Sequence, residues 1–521
     1  MKTTNLLALL ASFCIVAACG ERTAEPEQPA PATDAPVADA DTGMPAMPPG
    51  SSMKLPATTS SDSARAHYQQ GWDAFDMFRL NDANMHFMQA IAADPPFAMA
   101  HLMAAMTANS TEEFAKHLGH AVDRATGASR GEQLMIEAIQ KGFAGDQQGQ
   151  LASLIELTQL HPDSPRALQF LATTQTNQND IDGARATLAR AIELDPHLAT
   201  VHMQAGNNYL FQEPKDFATA ESHFQMAVDL APDEPNPHDL LGDVHRAQGK
   251  LQAAYDDYTK AAELAPEMGS PLQQRGHVNS FLGNYDEARA DYTRSAELED
   301  ARGTNFGPGF LMYRAFVNLY EGDPDAAITE LRELAAGIDA TEMKGGSDLK
   351  INALTSAAQI ATHYGNADVA SELIGEVAEL MRQQADVVGT EQFRHAQEAN
   401  IAYLEGMLAA RMGDTEAASA KAAEFREHVA GNTNPRKLER MHEIMGMRDF
   451  YQDEFATAAG HLAQGDVVNN EYIKYYLALS NQAAGNEEEA DKLFDELAVW
   501  NFNDVAYAMT RGDILARASG E

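Results

Sequence analysis

The chain has 521 residues and a formal charge of -40, from 37 basic and 77 acidic side chains. A surface this acidic repels phosphate backbones and anionic lipid headgroups, so it argues against nucleic-acid binding and against a basic membrane-surface patch. Its two cysteines, Cys14 and Cys19, both fall near the start, which leaves the rest of the chain without a disulfide framework, thiolate metal site or thiol nucleophile.

Met1 and Lys2 precede an apolar run, Leu6 to Val16, that is too short to span a bilayer and ends in Val16-Ala17-Ala18-Cys19. Residues 1–18 read as a secretory signal. The last four residues of this run resemble a bacterial lipobox, which implies that Cys19 is lipidated and becomes the first residue after cleavage. Gly20 stands where the inner-membrane retention signal of such lipoproteins has Asp. The resemblance therefore implies a protein anchored in the outer membrane of a Gram-negative cell, facing the periplasm and touching membrane only through its lipid. From Cys19 to Ser61 the chain is rich in Pro, Ala, Thr, Ser, Asp and Glu, with little to bury, and reads as a flexible tether. Met44, Met47 and Met53 offer thioethers that suit soft copper, but spacing this loose reads more simply as neutral tether composition.

From Ala64 onward a frame returns every 34 residues or about that: small, small, aromatic or Leu, Ala, Pro. Its first appearance is Gly71, Ala83, Phe87, Ala90 and Pro95. Small residues let two helices approach, the aromatic fills the gap between them, and proline stops the second helix. The frame recurs as Ala172, Ala184, Leu188, Ala191, Pro196, and then as Gly206, Ala220, Phe224, Ala227, Pro232. Gly242, Ala254, Tyr258, Ala261 and Pro266 make the cleanest unit, followed by Gly276, Ala288 and Tyr292. Gly249 and Gly283 fall where the chain turns inside a pair and a left-handed backbone is cheap for glycine. Degenerate units fill 98–164, and weaker copies continue past Gly303 to Gly446, Ala458, Leu462 and to Ala478, Gly485, Ala490, Phe494.

This set of positions resembles the tetratricopeptide repeat over roughly 64 to 504. The resemblance implies an all-α, right-handed superhelical solenoid of about eleven helix pairs. A regular array occupies 62–302 and a degenerate one 303–521, the latter closed by a capping helix from Asp504 to Ala518.

In that family the first helix of each pair lines a concave face. Carried onto this chain, the face shows Tyr68 and Trp72 near one end, Asn207, Asp239, Asp243 and His277 in the middle, and Tyr403, Tyr472 and Tyr475 near the other end. Aromatic ends with a polar middle suit a protein or peptide groove; alternatively the end aromatics pack against neighbouring helices. Repeats that grip a C-terminal carboxylate pair Lys with Asn. Here Asn207 is present but Met203, Asp239 and Gln273 stand where lysine would be, so a basic ligand fits Asp239 and Asp243 better.

The chain lacks a Gly-x-Ser-x-Gly elbow, a phosphate loop, a dinucleotide fingerprint and a His-Glu-x-x-His pair. His117 and His120, with His86 and His101 nearby, offer imidazoles, yet read first as helix-surface residues rather than a zinc site. Nothing orients Asp239, Asp243 and His277 as acid and base. The expectation is a non-catalytic scaffold with no cofactor or metal, binding a peptide or protein in its groove in envelope assembly or export. The alternatives are a periplasmic sensory or small-ligand-binding lipoprotein and, third, an enzyme hidden in the degenerate half.

Overall fold

The computed structural model describes residues 55, 57–304, 306–338, 343 and 345–519. The signal segment, Cys19 and most of the tether, with Met44, Met47 and Met53, lie outside the described residues. Within them the expected helix pairs follow one another. The first are α1 (Asp62–Asp76) with α2 (Leu80–Ala93), α3 (Ala98–Met106) with α4 (Thr111–Arg124), α5 (Arg130–Phe143) with α6 (Gln147–Leu160), and α7 (Pro165–Asn177) with α8 (Ile181–Leu194). Next come α9 (Ala199–Phe211) with α10 (Phe217–Leu230), α11 (Pro235–Ala247) with α12 (Leu251–Leu264), α13 (Ser270–Leu282) with α14 (Tyr285–Ala301), and α15 (Gly307–Tyr320) with α16 (Pro324–Gly337). The last are α17 (Gly346–His363) with α18 (Ala367–Val388), α19 (Glu391–Arg411) with α20 (Thr415–His428), α21 (Glu439–Phe450) with α22 (Phe455–Leu462), and α23 (Glu471–Ala483) with α24 (Glu487–Ala498). A single helix, α25 (Val505–Ala518), follows.

The pairing has the cause the spacing implies. A Cβ added to Gly242 would lie 2.6 Å from the Tyr258 ring, and one on Gly71 would lie 2.5 Å from Phe87, so only glycine admits the aromatic to the gap. Ala254 and Tyr258 are fully buried in the same hairpin. Gly249 turns between α11 and α12 at φ 71°, and Gly283 between α13 and α14 at φ 79°. Asn179 makes the same turn between α7 and α8, and Asp453 between α21 and α22, both at positive φ. The back half keeps the pairing, with two longer helices in its middle: α18 has 22 residues and α19 has 21, against 13 and 14 in α11 and α12.

Successive odd-numbered helices from α7 to α17 touch one another, which places them on the inner, tighter side of the curved stack. The stack also curls far enough for distant repeats to meet. Asp348, in α17, accepts from Thr111 N and Oγ1 at 3.1 and 2.9 Å. Thr433 N donates to Gly145 O at 3.3 Å, and Phe143 stacks on Phe393 at 6.3 Å. Asn236 Nδ2 donates to Met77 O, so the first hairpin's turn rests against α11. Among the described residues no helix is long and apolar enough to cross a membrane.

Candidate functional site: the inner face

The residues expected to line an open channel are placed on the inner helices, but most are covered. Trp72 is 2 % exposed, edge-on to Phe75, with the Arg166 guanidinium 4.3 Å above its ring. Tyr68 is buried 4.9 Å from the Phe97 ring, and burial pushes its hydroxyl pKa up. Here the alternative expectation holds: these aromatics fill the joint between the first pairs. Asn207 is also buried. Tyr403 Oη donates to Glu443 at 2.7 Å, Tyr472 Oη lies 3.0 Å from His363 Nδ1, and Tyr475 Oη donates to Asp513 of α25 at 2.7 Å.

The middle of the face has a specific cover. Between α24 and α25 the chain runs Trp500-Asn501-Phe502-Asn503, and these four residues lie against the inner helices some 200 positions earlier. Trp500 and Phe502 pack with Met203, Phe211, Leu240 and Val244, and are 3 % and 2 % exposed. Asn501 Nδ2 donates to Arg246 O at 3.4 Å. Asn503 Nδ2 lies 3.1 Å from both His277 Nδ1 and Tyr292 Oη, and its Oδ1 accepts from Tyr320 Oη at 2.7 Å. His277 is fully buried, and burial, with Arg246 nearby, holds its pKa well below the usual imidazole range.

The acidic strip is partly engaged. Asp243, fully buried, accepts from Arg246 Nη2 at 2.8 Å and from Tyr258 Oη at 2.7 Å. Burial raises its pKa to about 6 despite Arg246, and burial, with the charge of Asp243, raises that of Asp239 well above the usual carboxylate range. Asp243 does not stand open to a basic ligand as expected from the sequence, because the cation it faces, Arg246, comes from the same helix. The linker carried a sign of this role, since a solvated connection has no use for Trp and Phe alternating with Asn. Helical periodicity is blind to so short a stretch.

One part of the inner face stays open. Between the front pairs lies a cavity of about 80 Å³, walled by Phe75, Phe78, Phe114, Phe143 and Phe170, with Arg166, Gln169, Gln150 and Thr200 among its polar groups. The family's concave-face spacing reaches Phe75 and Thr200 of this lining but not the walls from α4, α5 and α6, which belong to the degenerate units whose frame was weakest.

His101, His117 and His120 do cluster: His101 Nδ1 lies 3.4 Å from His117 Nδ1, and His101 and His120 rings are 5.3 Å apart. Contrary to a helix-surface reading, His101 and His117 are buried between α3 and α4. Among the described residues no group of three or more His, Cys, Asp or Glu side chains has metal-binding geometry.

No curated protein matches the chain. A family model described as "Tetratricopeptide repeat" matches residues 165–198, 238–268 and 270–301. Among solved structures, MamA from Desulfovibrio magneticus RS-1 is 20 % identical, with 33 % of this chain and 97 % of that one aligned at a TM-score of 0.28. A tetratricopeptide repeat protein from Parabacteroides merdae is 14 % identical over 51 % of this chain and 98 % of its own, at a TM-score of 0.35. A thermophilic one from Thermus thermophilus is 19 % identical over 32 % and 91 %, at 0.29. Scores this low carry no argument; the matched segments and the Gly-to-aromatic hairpins do. The chain is an all-α solenoid of paired helices in which residues 165–198, 238–268 and 270–301 match the tetratricopeptide repeat.

Proposed function

We propose that the protein is a non-catalytic scaffold that binds a segment of a partner polypeptide in the open front of its inner face, held to the outer membrane through Cys19 on the periplasmic side and serving envelope assembly or export. The observation that carries the binding reading is the contrast along one face: the middle is sealed by residues 500–503, whereas the front keeps an aromatic cavity. A face whose apolar groups were needed only for folding would be closed along its whole length. The lipobox resemblance at Val16-Ala17-Ala18-Cys19 supports the anchor.

Crosslinking in intact cells, followed by partner identification, tests the scaffold: a stoichiometric protein partner is expected, lost when Phe170 is changed to Asp. Recovery of no protein, together with a thermal shift by a small metabolite, would favour the sensory alternative instead. The anchor is tested separately. Cys19→Ser should abolish metabolic palmitate labelling and release the protein from the membrane fraction; unchanged labelling would remove Cys19 from the account.

A further inference from the structure

The front cavity has a chemistry that narrows its occupant. The charged side chains lining it are Asp76 and Arg166, and they neutralise one another, with Arg166 Nη2 donating to Asp76 Oδ1. Yet among the described residues three buried polar atoms around it find no hydrogen-bond partner: Arg166 Nε, Gln169 Oε1 and Gln150 Oε1. Gln169 Nε2 is held by Thr200 Oγ1 at 3.3 Å, which turns the free oxygen of that amide away from Thr200. A buried donor and buried acceptors left unpaired are costly, and a ligand that supplies both functions removes that cost. A carboxamide does so and a carboxylate does not, since a carboxylate donates nothing and would bring an unpaired charge to a neutral site. The phenylalanine walls call for a flat apolar group beside it. About 80 Å³ holds several waters by the same measure, so a ring enters.

The molecule already shows how this face takes such a segment. Phe78, a wall of the cavity, also packs on the apolar cluster that holds Trp500 and Phe502. There, two aromatic rings sit among inner-helix apolar groups while Asn501 and Asn503 meet buried polar atoms of the inner helices and of Tyr292 on α14. We propose that the cavity is the docking site for an uncharged stretch of a partner polypeptide in which an aromatic side chain is followed by asparagine or glutamine. This rests on the scaffold reading and adds to it the kind of sequence that is bound.

The test uses the full chain and two probes, N-acetyl-Trp-Asn-Phe-Asn-amide and its counterpart with Asp in place of Asn, titrated by calorimetry. The neutral probe should bind about tenfold or more tightly than the acidic one. Thr173→Trp, which fills the cavity from a half-buried position, should abolish binding, and Gln169→Leu should weaken it about tenfold; thermal melts establish that both variants are folded. Equal binding of the two probes, or neutral-probe binding that survives Thr173→Trp, overturns the proposal, the latter because the probe is then held elsewhere. If only charged peptides bind and Thr173→Trp blocks them, the scaffold stands and the stated chemistry falls. If no peptide binds and crosslinking returns no protein, both fall.

Discussion

Arg246 shows how much a single side chain carries here. It is fully buried, it donates to Asp243 and to Gln274 Oε1 at 3.0 Å, and its guanidinium lies 4.4 Å over the Phe502 ring. Removing it leaves a buried carboxyl without its cation, which in comparable pairs costs about 3–5 kcal/mol. Arg246→Met should therefore lower the urea midpoint strongly, and Arg246→Met with Asp243→Asn should recover much of the loss; a double variant no better than the single would show that the pair is not the cause. Asp243 also has a pH signature. Its folded pKa, about 6, stands above the usual 3.8, so the folded state holds a proton that the unfolded chain has released. Its contribution is full below pH 4 or so and is lost as pH rises through about 6.

At the scale of the helix pair, the contact between Gly242 and Tyr258 and the turn at Gly249 have different costs. Gly242→Ala forces a Cβ into an aromatic ring and should cost about 1–3 kcal/mol, whereas Gly249→Ala meets open space and should cost about 1–2 kcal/mol through its backbone alone. Chemical denaturation of the two variants checks both. Several pairs are also bridged by histidines: His202 and His223 Nδ1 atoms lie 3.2 Å apart, and those of His442 and His461 lie 3.1 Å apart. Such a contact needs one nitrogen without a proton, and full protonation puts two cations across the joint. Burial holds His101 and His223 at about 4, below their unfolded value of 6.5, so stability present above pH 6.5 is lost as pH falls toward 4. This opposes Asp239, Asp243 and Glu439, whose carboxyls burial raises, but with His277 and His363 also held low by burial the histidine loss should dominate: the melting temperature should be lower at pH 5 than at pH 7, and His223→Gln should narrow the gap. An unchanged gap would exclude that pair. These hairpins were legible in the sequence because each is closed by residues fewer than about forty apart in a fixed frame, as Gly71 with Phe87 and Gly242 with Tyr258. Exposure on the inner helices was not, since it was inferred for an open array and His277 and Arg246, the partner of Asp243, are covered from far along the chain.

For the whole molecule that cover is decisive. Trp500 and Phe502 sit in the middle of the inner face, so replacing either with Ala should cost about 3–5 kcal/mol, and hydrogen exchange should quicken in α9, α11, α13 and α15 rather than only near the C terminus. Exchange confined to α24 and α25 would mean that the segment is not a structural part of the face. The front cavity was only partly legible in the sequence, because of the seven helices that line it α3, α4, α5 and α6 belong to the degenerate units. The contacts between distant repeats, from Thr111 to Asp348 and from Gly145 to Thr433, bear on mechanics. A coil whose turns touch only through the chain stretches like a spring, one unit yielding after another. Rivets between the turns and a plug in the bore remove that compliance, so a pulled molecule should resist and then give way in one large rupture, without the ladder of small extensions that a free coil would record.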